Sequence, residues 1–156
     1  ALPDMTYGIT TSFGYKNWSL GVNFNGVSGN KIYWNDHNGL HNMPQLYAGN
    51  NIARVGFDPN EAPNNSATAS TRFLYDGSYF RLNNATLSYD INTSNLPLRG
   101  LQLSVTGQNL FTITDYPGFD PEVNMPRDVG GIQSYGIDSS RYPTARSFMF
   151  SLNVTL

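Results

Sequence analysis

The sequence has no cysteine, few charged residues and no long apolar run, and each absence excludes a class of structure or function. Without cysteine the chain has no disulfide framework and no thiolate chemistry. No stretch approaches the roughly 18 consecutive apolar residues of a transmembrane helix. The net charge of −2 is too small to indicate a nucleic-acid partner or an acidic substrate. Aromatic residues, by contrast, reach 13%, as much as all charged residues together. This composition suits a secreted β-protein or an outer-membrane barrel.

The segment 144–156 carries the clearest structural signal. Apolar residues there alternate with mainly polar ones, which predicts a β-strand with one apolar and one polar face. The segment ends on the apolar Leu156. Such an ending is typical of outer-membrane barrels, in which the last strand closes the barrel against the first. The apolar positions are Phe148, Phe150, Leu152, Val154 and Leu156.

The same alternation predicts four earlier strands, at about 5–15, 18–26, 78–91 and 101–113. Lys16 and Asn17 form a tight hairpin turn between the first two strands. In the third strand the apolar parity changes between Leu82 and Ala85, which predicts a β-bulge at Asn83 and Asn84. The polar faces carry mostly Gly, Ser, Thr and Asn, which a water-filled lumen tolerates better than a packed core does.

The connections between the predicted strands alternate between short and long. The segments 27–77 and 114–142 are rich in turn residues and are interpreted as irregular extracellular loops without helix, and the short turns as periplasmic. The predicted fold is therefore all-β, an antiparallel up-and-down transmembrane β-barrel. Because five strands cannot close a barrel and an open edge cannot lie in lipid, we expect the chain to be the C-terminal part of a larger barrel.

Four sequence motifs follow one another along the chain. They are 29–33 (GNKIY), 76–89 (DGSYFRLNNATLSY), 107–112 (GQNLFT) followed by 115–122 (DYPGFDPE), and 142–148 (YPTARSF) leading to 153–156 (NVTL). In this order they resemble the C-terminal end of the SusC/RagA family of TonB-dependent outer-membrane transporters of Bacteroidetes. The resemblance spans nearly the whole chain, although the final Leu156 stands where a terminal aromatic is common in barrels.

The resemblance implies a 22-stranded barrel with an N-terminal plug domain, located in the outer membrane of a Gram-negative bacterium. It implies uptake of nutrient oligomers, either glycan or peptide, powered through TonB and capped by a SusD-like surface lipoprotein. The plug domain and the region that contacts TonB are not in this chain. The expected partners are therefore the rest of the parent barrel and plug, the lipoprotein, TonB through the parent's N-terminal region, and outer-membrane lipid.

Aromatic residues in the predicted loops are the candidate substrate-binding residues, since their rings stack on sugar rings or peptide groups. The alternative is that these rings pack the loops together or against the lipoprotein. A second aromatic group, Tyr15, Trp18 and Tyr89, lies near the short turns and is interpreted as a periplasmic girdle. The candidates for substrate are Tyr33, Trp34, Tyr47, Tyr116, Phe119 and Tyr135.

Groups that suggest metal binding or catalysis have simpler interpretations. His37 and His41 are four residues apart, but they lie in a segment rich in Gly and Asn, so we interpret them as solvated loop residues. Asp58, Asn60 and Glu61 offer oxygen ligands for calcium, but the EF-hand pattern is missing, so no cofactor is expected.

The carboxylates Asp115, Asp120 and Glu122 could be read as a glycosidase pair. The Pro and Gly residues around them favour a turn that folds the loop, so we expect a protein that is not an enzyme. Two other functions stay open: a passive porin-like barrel, and a secreted β-sandwich that binds carbohydrate.

Overall fold

The computed structural model describes residues 2–40, 42–62, 64, 68–95, 97–123, 127–129, 132–139 and 142–156. The chain divides into two compact units. The sheet unit comprises Met5–Ser28, Tyr79–Thr114 and Thr144–Leu156, and the loop unit comprises Ala1–Asp4, Gly29–Ser78 and Asp115–Pro143.

The described elements are ten strands, two short α-helices and two turns of 3-10 helix. In chain order they are β1 (Met5–Tyr15), β2 (Trp18–Ser28), β3 (Lys31–Trp34), α1 (Asn35–Leu40), α2 (Met43–Tyr47), the 3-10 turns Arg54–Gly56 and Thr71–Phe73, β4 (Leu74–Asp76), β5 (Tyr79–Ile91), β6 (Gly100–Thr114), β7 (Arg127–Val129), β8 (Ile132–Ser134), β9 (Ile137–Asp138) and β10 (Ser147–Thr155).

The sheet unit is one five-stranded sheet in the order β1-β2-β5-β6-β10, with every neighbouring pair antiparallel. The prediction of five antiparallel strands in sequence order is therefore confirmed. The last strand begins at Ser147 rather than at Thr144. The five strands of the sheet unit are 9 to 15 residues long, which is the length that a tilted strand needs to cross a bilayer.

The turn between β1 and β2 occupies the two predicted residues. Tyr15 pairs with Trp18, so Lys16 and Asn17 alone make the connection. Lys16 takes the positive φ of 53° that tight hairpin turns require. The Asn17 side chain donates a hydrogen bond to the backbone oxygen of Asp90 at 2.7 Å, which ties the turn to β5.

The bulge predicted in β5 is present. Asn23 of β2 pairs with Asn84, whereas the next residue, Phe24, pairs with Leu82, so Asn83 is the extra residue. On the other side of β5 the register with β6 also shifts between Leu82 and Asn84. The bulge keeps Leu82 on the apolar face although its sequence parity differs from that of Ala85.

The loop unit is more regular than the sequence predicted. The expectation of irregular loops without helix is wrong. Segment 27–77 contains β3, β4, α1 and α2, and segment 114–142 contains β7, β8 and β9. These elements are only two to six residues long, so they leave no periodic pattern long enough to recognise. A three-stranded sheet in the order β4-β3-β9 organises this unit, with β9 parallel to β3.

The core of the loop unit consists of Ile32, Tyr116 and Val123, with Trp34 and Tyr75 packed against it. Ile32 from β3 is fully buried. The described part of the chain contains no helix with the length and apolar character needed to cross a membrane.

Candidate functional site

The apolar face of the sheet unit is built from cross-strand rows of side chains. One row crosses all five strands, and each of its members is exposed, up to 79% for Phe150. A sheet without a covering layer would place this surface in water, which the hydrophobic effect disfavours. The row consists of Phe13, Leu20, Leu87, Val105 and Phe150.

Aromatic side chains border the aliphatic rows at both ends of the apolar face. At the turn end the rings of Trp18 and Tyr89 lie 4.6 Å apart, with Tyr15 paired beside Trp18. At the opposite end Tyr7 stacks on Phe80 at 6.2 Å. The eight-residue step from Tyr7 to Tyr15 spans about 27 Å along the strand, or about 20 Å across a membrane at the usual tilt. This spacing is close to the ~25 Å apolar band between the aromatic girdles of outer-membrane barrels.

The opposite face of the sheet is polar and linked by side-chain hydrogen bonds between neighbouring strands. Near the turns it carries a row of small residues, Gly14, Ser19, Ser88, Ser104 and Ser151, which leave space in front of the sheet. The bonds are Asn23 Nδ2 to Thr10 Oγ1 at 3.1 Å, Thr86 with Thr106 at 2.9 Å, Gln102 Nε2 to Asp90 Oδ1 at 2.8 Å, Asn153 Nδ2 to Gln102 Oε1 at 3.5 Å and Ser147 Oγ to Gln108 Oε1 at 3.1 Å.

Arg81 is a buried cation on the polar face. Its register partners are Asn25 and Thr112. The Arg81 Nε donates to Thr112 Oγ1 at 3.0 Å, and the guanidinium carbon lies 5.3 Å from the centre of the Tyr79 ring. Sequence reasoning placed Arg81 only within a motif, because the bulge beside it interrupts the alternation that would have assigned its face.

A buried hydrogen bond joins two distant parts of the loop unit. The Tyr116 hydroxyl donates to Asp138 Oδ2 at 2.6 Å. Burial, together with this bond and the Asp138 charge, raises the pKa of Tyr116 far above its usual value of 10.0. The bond supports the parallel pairing in which Tyr33 and Trp34 of β3 face Ile137 and Asp138 of β9.

His37 is buried rather than solvated, so its interpretation as a solvated loop residue is wrong. Only 2% of its surface is exposed, in α1. Its Nδ1 shares a hydrogen bond of 2.7 Å with the Tyr75 hydroxyl, and its ring lies 4.8 Å from that of Trp34 and 5.3 Å from that of Phe73. His37 thus lies in a short helix and packs against aromatic rings, whereas the Gly- and Asn-rich sequence suggested exposure to solvent. His41 lies outside the described residues.

The structure divides five of the six candidate substrate residues into two groups, one packed in the core and one exposed. Tyr116 is buried, and Trp34 is partly buried with its ring 6.0 Å from that of Tyr116, so both support the core of the loop unit. The burial of these two rings agrees with the alternative interpretation, in which loop aromatics pack the loops together. The exposed candidates are Tyr47, Phe119 and Tyr135, with 82% of Phe119 exposed.

Tyr33 is the intermediate case among the candidates. It is partly buried in β3, and its ring packs edge-on to that of Phe73 at 6.5 Å. Its hydroxyl oxygen is buried and finds no hydrogen-bond partner within the described part of the chain. Binding of substrate by any of the six residues stays a prediction.

An ion pair joins β3 and β4 at one end of their antiparallel pairing. Lys31 Nζ lies 2.9 Å from Asp76 Oδ2. Hydrogen bonds from Ser78 and from Lys31 lower the pKa of Asp76 to about 2. Because both side chains are about half exposed, this pair is expected to contribute little to stability.

Three of the carboxylates considered for metal binding or catalysis, Asp58, Glu61 and Asp120, have structural partners. Asp58 Oδ1 accepts from the Asn60 backbone at 2.9 Å, and Glu61 pairs with Arg72 at 2.9 Å. Asp120 Oδ1 accepts from the backbone of Glu122 at 2.9 Å, as expected of a turn. The described residues contain no group of three or more side chains that could hold a metal ion.

Comparison with known proteins identifies similar sequences. No protein-family model matches the chain. The chain is 35% identical over 170 residues to TonB-dependent receptor P3 of Formosa agariphila, a match that covers 97% of this chain and 16% of that protein. It is 28% identical over 168 residues to TonB-dependent receptor SusC of Bacteroides thetaiotaomicron, covering 97% of this chain and 15% of that protein. The chain thus spans about one sixth of the length of these relatives.

Solved structures support the fold. The RagAB peptide importer in its open-open state superposes with a TM-score of 0.77 at 20% identity, over 99% of this chain and 17% of that chain. The closed-closed state of the same importer gives the same TM-score of 0.77. The predicted fold class is therefore confirmed: the five-stranded sheet is a portion of an antiparallel up-and-down transmembrane β-barrel.

Proposed function

Because this chain belongs to the SusC/RagA family of TonB-dependent receptors, we propose that it forms part of the wall and outer loops of an active importer in the outer membrane of a Gram-negative bacterium. The importer takes up nutrient oligomers, either glycan or peptide, with energy transmitted through TonB. A SusD-like surface lipoprotein covers its outer opening. The plug domain and the TonB-contacting region belong to the rest of the parent polypeptide.

The two-faced sheet is the observation that carries this proposal. Its aliphatic rows suit lipid, and the aromatic rows at both ends suit the two membrane interfaces. Its polar face suits a water-filled passage, because small hydroxyl and amide side chains there bond to one another across the strands. A soluble protein would need a second layer over one of these faces.

The open edges of the sheet support a larger barrel. β1 and β10 each pair with one described strand only, and in lipid every unpaired backbone group costs several kcal/mol. The parent polypeptide therefore supplies strands to both edges. The loop unit contributes its exposed rings, Tyr47, Phe119 and Tyr135, to contacts with substrate or with the lipoprotein.

The secreted β-sandwich is the weaker alternative. It requires two packed sheets that enclose residues such as Leu20, Leu103 and Phe148, whereas these residues lie on one sheet and are exposed. A passive porin-like barrel would have the same kind of wall as the proposed importer and would differ in transporting without an energy source. A functional test is therefore needed to distinguish the two.

Spin labelling tests the wall assignment. In the full-length parent, with any cysteines replaced, a nitroxide is attached at Leu103→Cys or at its neighbour Ser104→Cys and the protein is reconstituted in liposomes. We expect collisions with oxygen to dominate at position 103 and collisions with a water-soluble nickel complex to dominate at position 104. Equal accessibility of the two sites to both reagents would contradict the assignment.

Uptake measurements test the energy source. A strain that lacks the parent gene is compared with its complemented counterpart for growth on a panel of oligosaccharides and peptides. Uptake of the nutrient that depends on the gene should stop when a protonophore collapses the proton gradient. Uptake that continues unchanged would identify a passive barrel instead.

A further inference from the structure

The sheet unit carries a single acidic residue, which lies on its polar face. It contains four basic residues and one acidic residue, Asp90, whereas the loop unit contains five basic and ten acidic residues. Asp90 pairs in register with Gln102 and accepts its side-chain hydrogen bond at 2.8 Å, so it lies on the polar face. The apolar face therefore carries no acidic side chain.

Two of the four cations lie at the turn end of the apolar face. The Nζ of Lys16 is 5.3 Å from the centre of the Tyr15 ring, which places this ammonium beside the aromatic row. Arg99 immediately precedes β6 and continues its ladder, since its backbone N–H donates to the Thr155 oxygen at 2.8 Å. By strand alternation Arg99 shares the face of Leu101. Both cations are exposed.

The backbone holds Lys16 in this position. Its φ of 53° and the single pair Tyr15 with Trp18 leave the turn little freedom, and Asn17 fixes the turn to β5 through the 2.7 Å bond to Asp90. The backbone of Lys16 is thus held beside the aromatic row, within reach of which its side chain carries the ammonium.

We propose that Lys16 and the aromatic row of Tyr15, Trp18 and Tyr89 bind the phosphodiester of an anionic glycerophospholipid. The ammonium meets the phosphate, and the indole and phenol rings occupy the glycerol level, where their polar atoms remain hydrated. The carboxylate that would repel the phosphate lies on the other face. This site rests on the proposed membrane placement of the sheet and adds headgroup selectivity to it.

Quenching of Trp18 fluorescence tests this proposal. The full-length parent and its Trp18→Phe variant are reconstituted in phosphatidylcholine vesicles, and the difference between their emissions isolates Trp18. Brominated phosphatidylglycerol or brominated phosphatidylcholine is then added at equal mole fraction. We expect Trp18 to be quenched more strongly by the brominated phosphatidylglycerol, because that lipid concentrates beside it.

Variants of Lys16 identify the cation responsible. Lys16→Asn removes the charge with a residue that tolerates positive φ, and it should reduce the preference for phosphatidylglycerol about fivefold. Lys16→Arg should retain the preference. Lys31→Gln, in the loop unit, is the matched control and should leave it unchanged.

The outcomes separate this site from the membrane placement itself. Equal quenching by the two brominated lipids would overturn the headgroup site and leave the barrel wall intact. Absence of quenching by either lipid would overturn both. A preference for phosphatidylglycerol that persists in Lys16→Asn would also refute the assignment to Lys16.

Discussion

A methyl group added at Gly26 should destabilise the barrel by displacing one aromatic ring. Gly26 of β2 lies between its register partners Tyr7 of β1 and Phe80 of β5. The Tyr7 ring lies across the glycine, stacks on Phe80 and donates a hydrogen bond to the Tyr79 oxygen at 3.1 Å. A Cβ at position 26 would lie 2.5 Å from the Tyr7 hydroxyl oxygen and closer still to two ring carbons.

The expected loss of stability has two sources, the crowding of the Tyr7 ring and the loss of its hydrogen bond. Forcing an extra carbon into a filled space costs about 1–3 kcal/mol, and losing a neutral hydrogen bond costs about 0.5–1.5 kcal/mol. We expect Gly26→Ala to lower the free energy of unfolding by about 2–3 kcal/mol, measured by urea titration of the full-length parent in liposomes. Gly21→Ala is the matched control in the same strand, because a Cβ there meets nothing within 4 Å. Its effect should stay within about 0.5 kcal/mol.

A double-mutant cycle tests the assigned cause. In a Tyr7→Ala background the ring is absent, so Gly26→Ala should cost much less than it does in the native sequence. Tyr7→Phe alone should lose only the hydrogen bond. The reasoning fails if Gly26→Ala costs the same with and without the Tyr7 ring, or if Gly21→Ala costs as much as Gly26→Ala.

Further predictions concern the membrane wall and the loop unit. Leu152→Arg should cost about 2–4 kcal/mol of barrel stability in lipid and Ser151→Arg much less, because only the first charge faces the bilayer; equal costs in denaturant titrations would remove the wall assignment. Tyr116→Phe should cost about 1.5–3 kcal/mol because it leaves the buried Asp138 carboxylate without its donor. Faster amide exchange along the β3–β9 pair would show this, and Tyr47→Phe, at an exposed ring in α2, is the control. The raised pKa of Tyr116 means that the folded chain keeps this proton when the unfolded chain loses it, so the contribution of Tyr116 to stability should be constant below pH 10.0 and fall as the pH rises beyond it. In Tyr116→Phe this alkaline loss should diminish, and an unchanged pH profile would contradict the assignment.

The wall of the barrel was predictable from sequence because strand alternation is a local signal. The parity change between Leu82 and Ala85 sufficed to predict the bulge, and Lys16 and Asn17 sufficed for the turn. The ends of the strands were predicted less accurately. Thr144 was predicted inside the last strand, yet β10 begins at Ser147. A strand end depends on where its partner stops pairing, and single-sequence alternation does not contain this information.

The loop unit was less predictable because its structure depends on contacts between distant residues. Burial of His37 results from neighbours such as Phe73 and Tyr75, more than 30 residues further along the chain. The bond from Tyr116 to Asp138 likewise joins two segments that show no periodic pattern. Loop aromatics therefore looked alike in the sequence, and only the fold separated those in the core from those at the surface.

The parallel pairing of β3 with β9 has a consequence for the order of folding. Tyr33 and Ile137 are about 100 residues apart, so pairing them in an unfolded chain closes a long loop. Once β2, β5 and β6 have paired, Val27, Tyr79 and Thr114 are held as neighbours, and the remaining free segments total only about 30 residues. Because the loop that remains to be closed is shorter, the entropic cost of pairing β3 with β9 falls by about 1 kcal/mol. The loop core should accordingly form after the wall, so the loop unit would be the last part of the chain to mature.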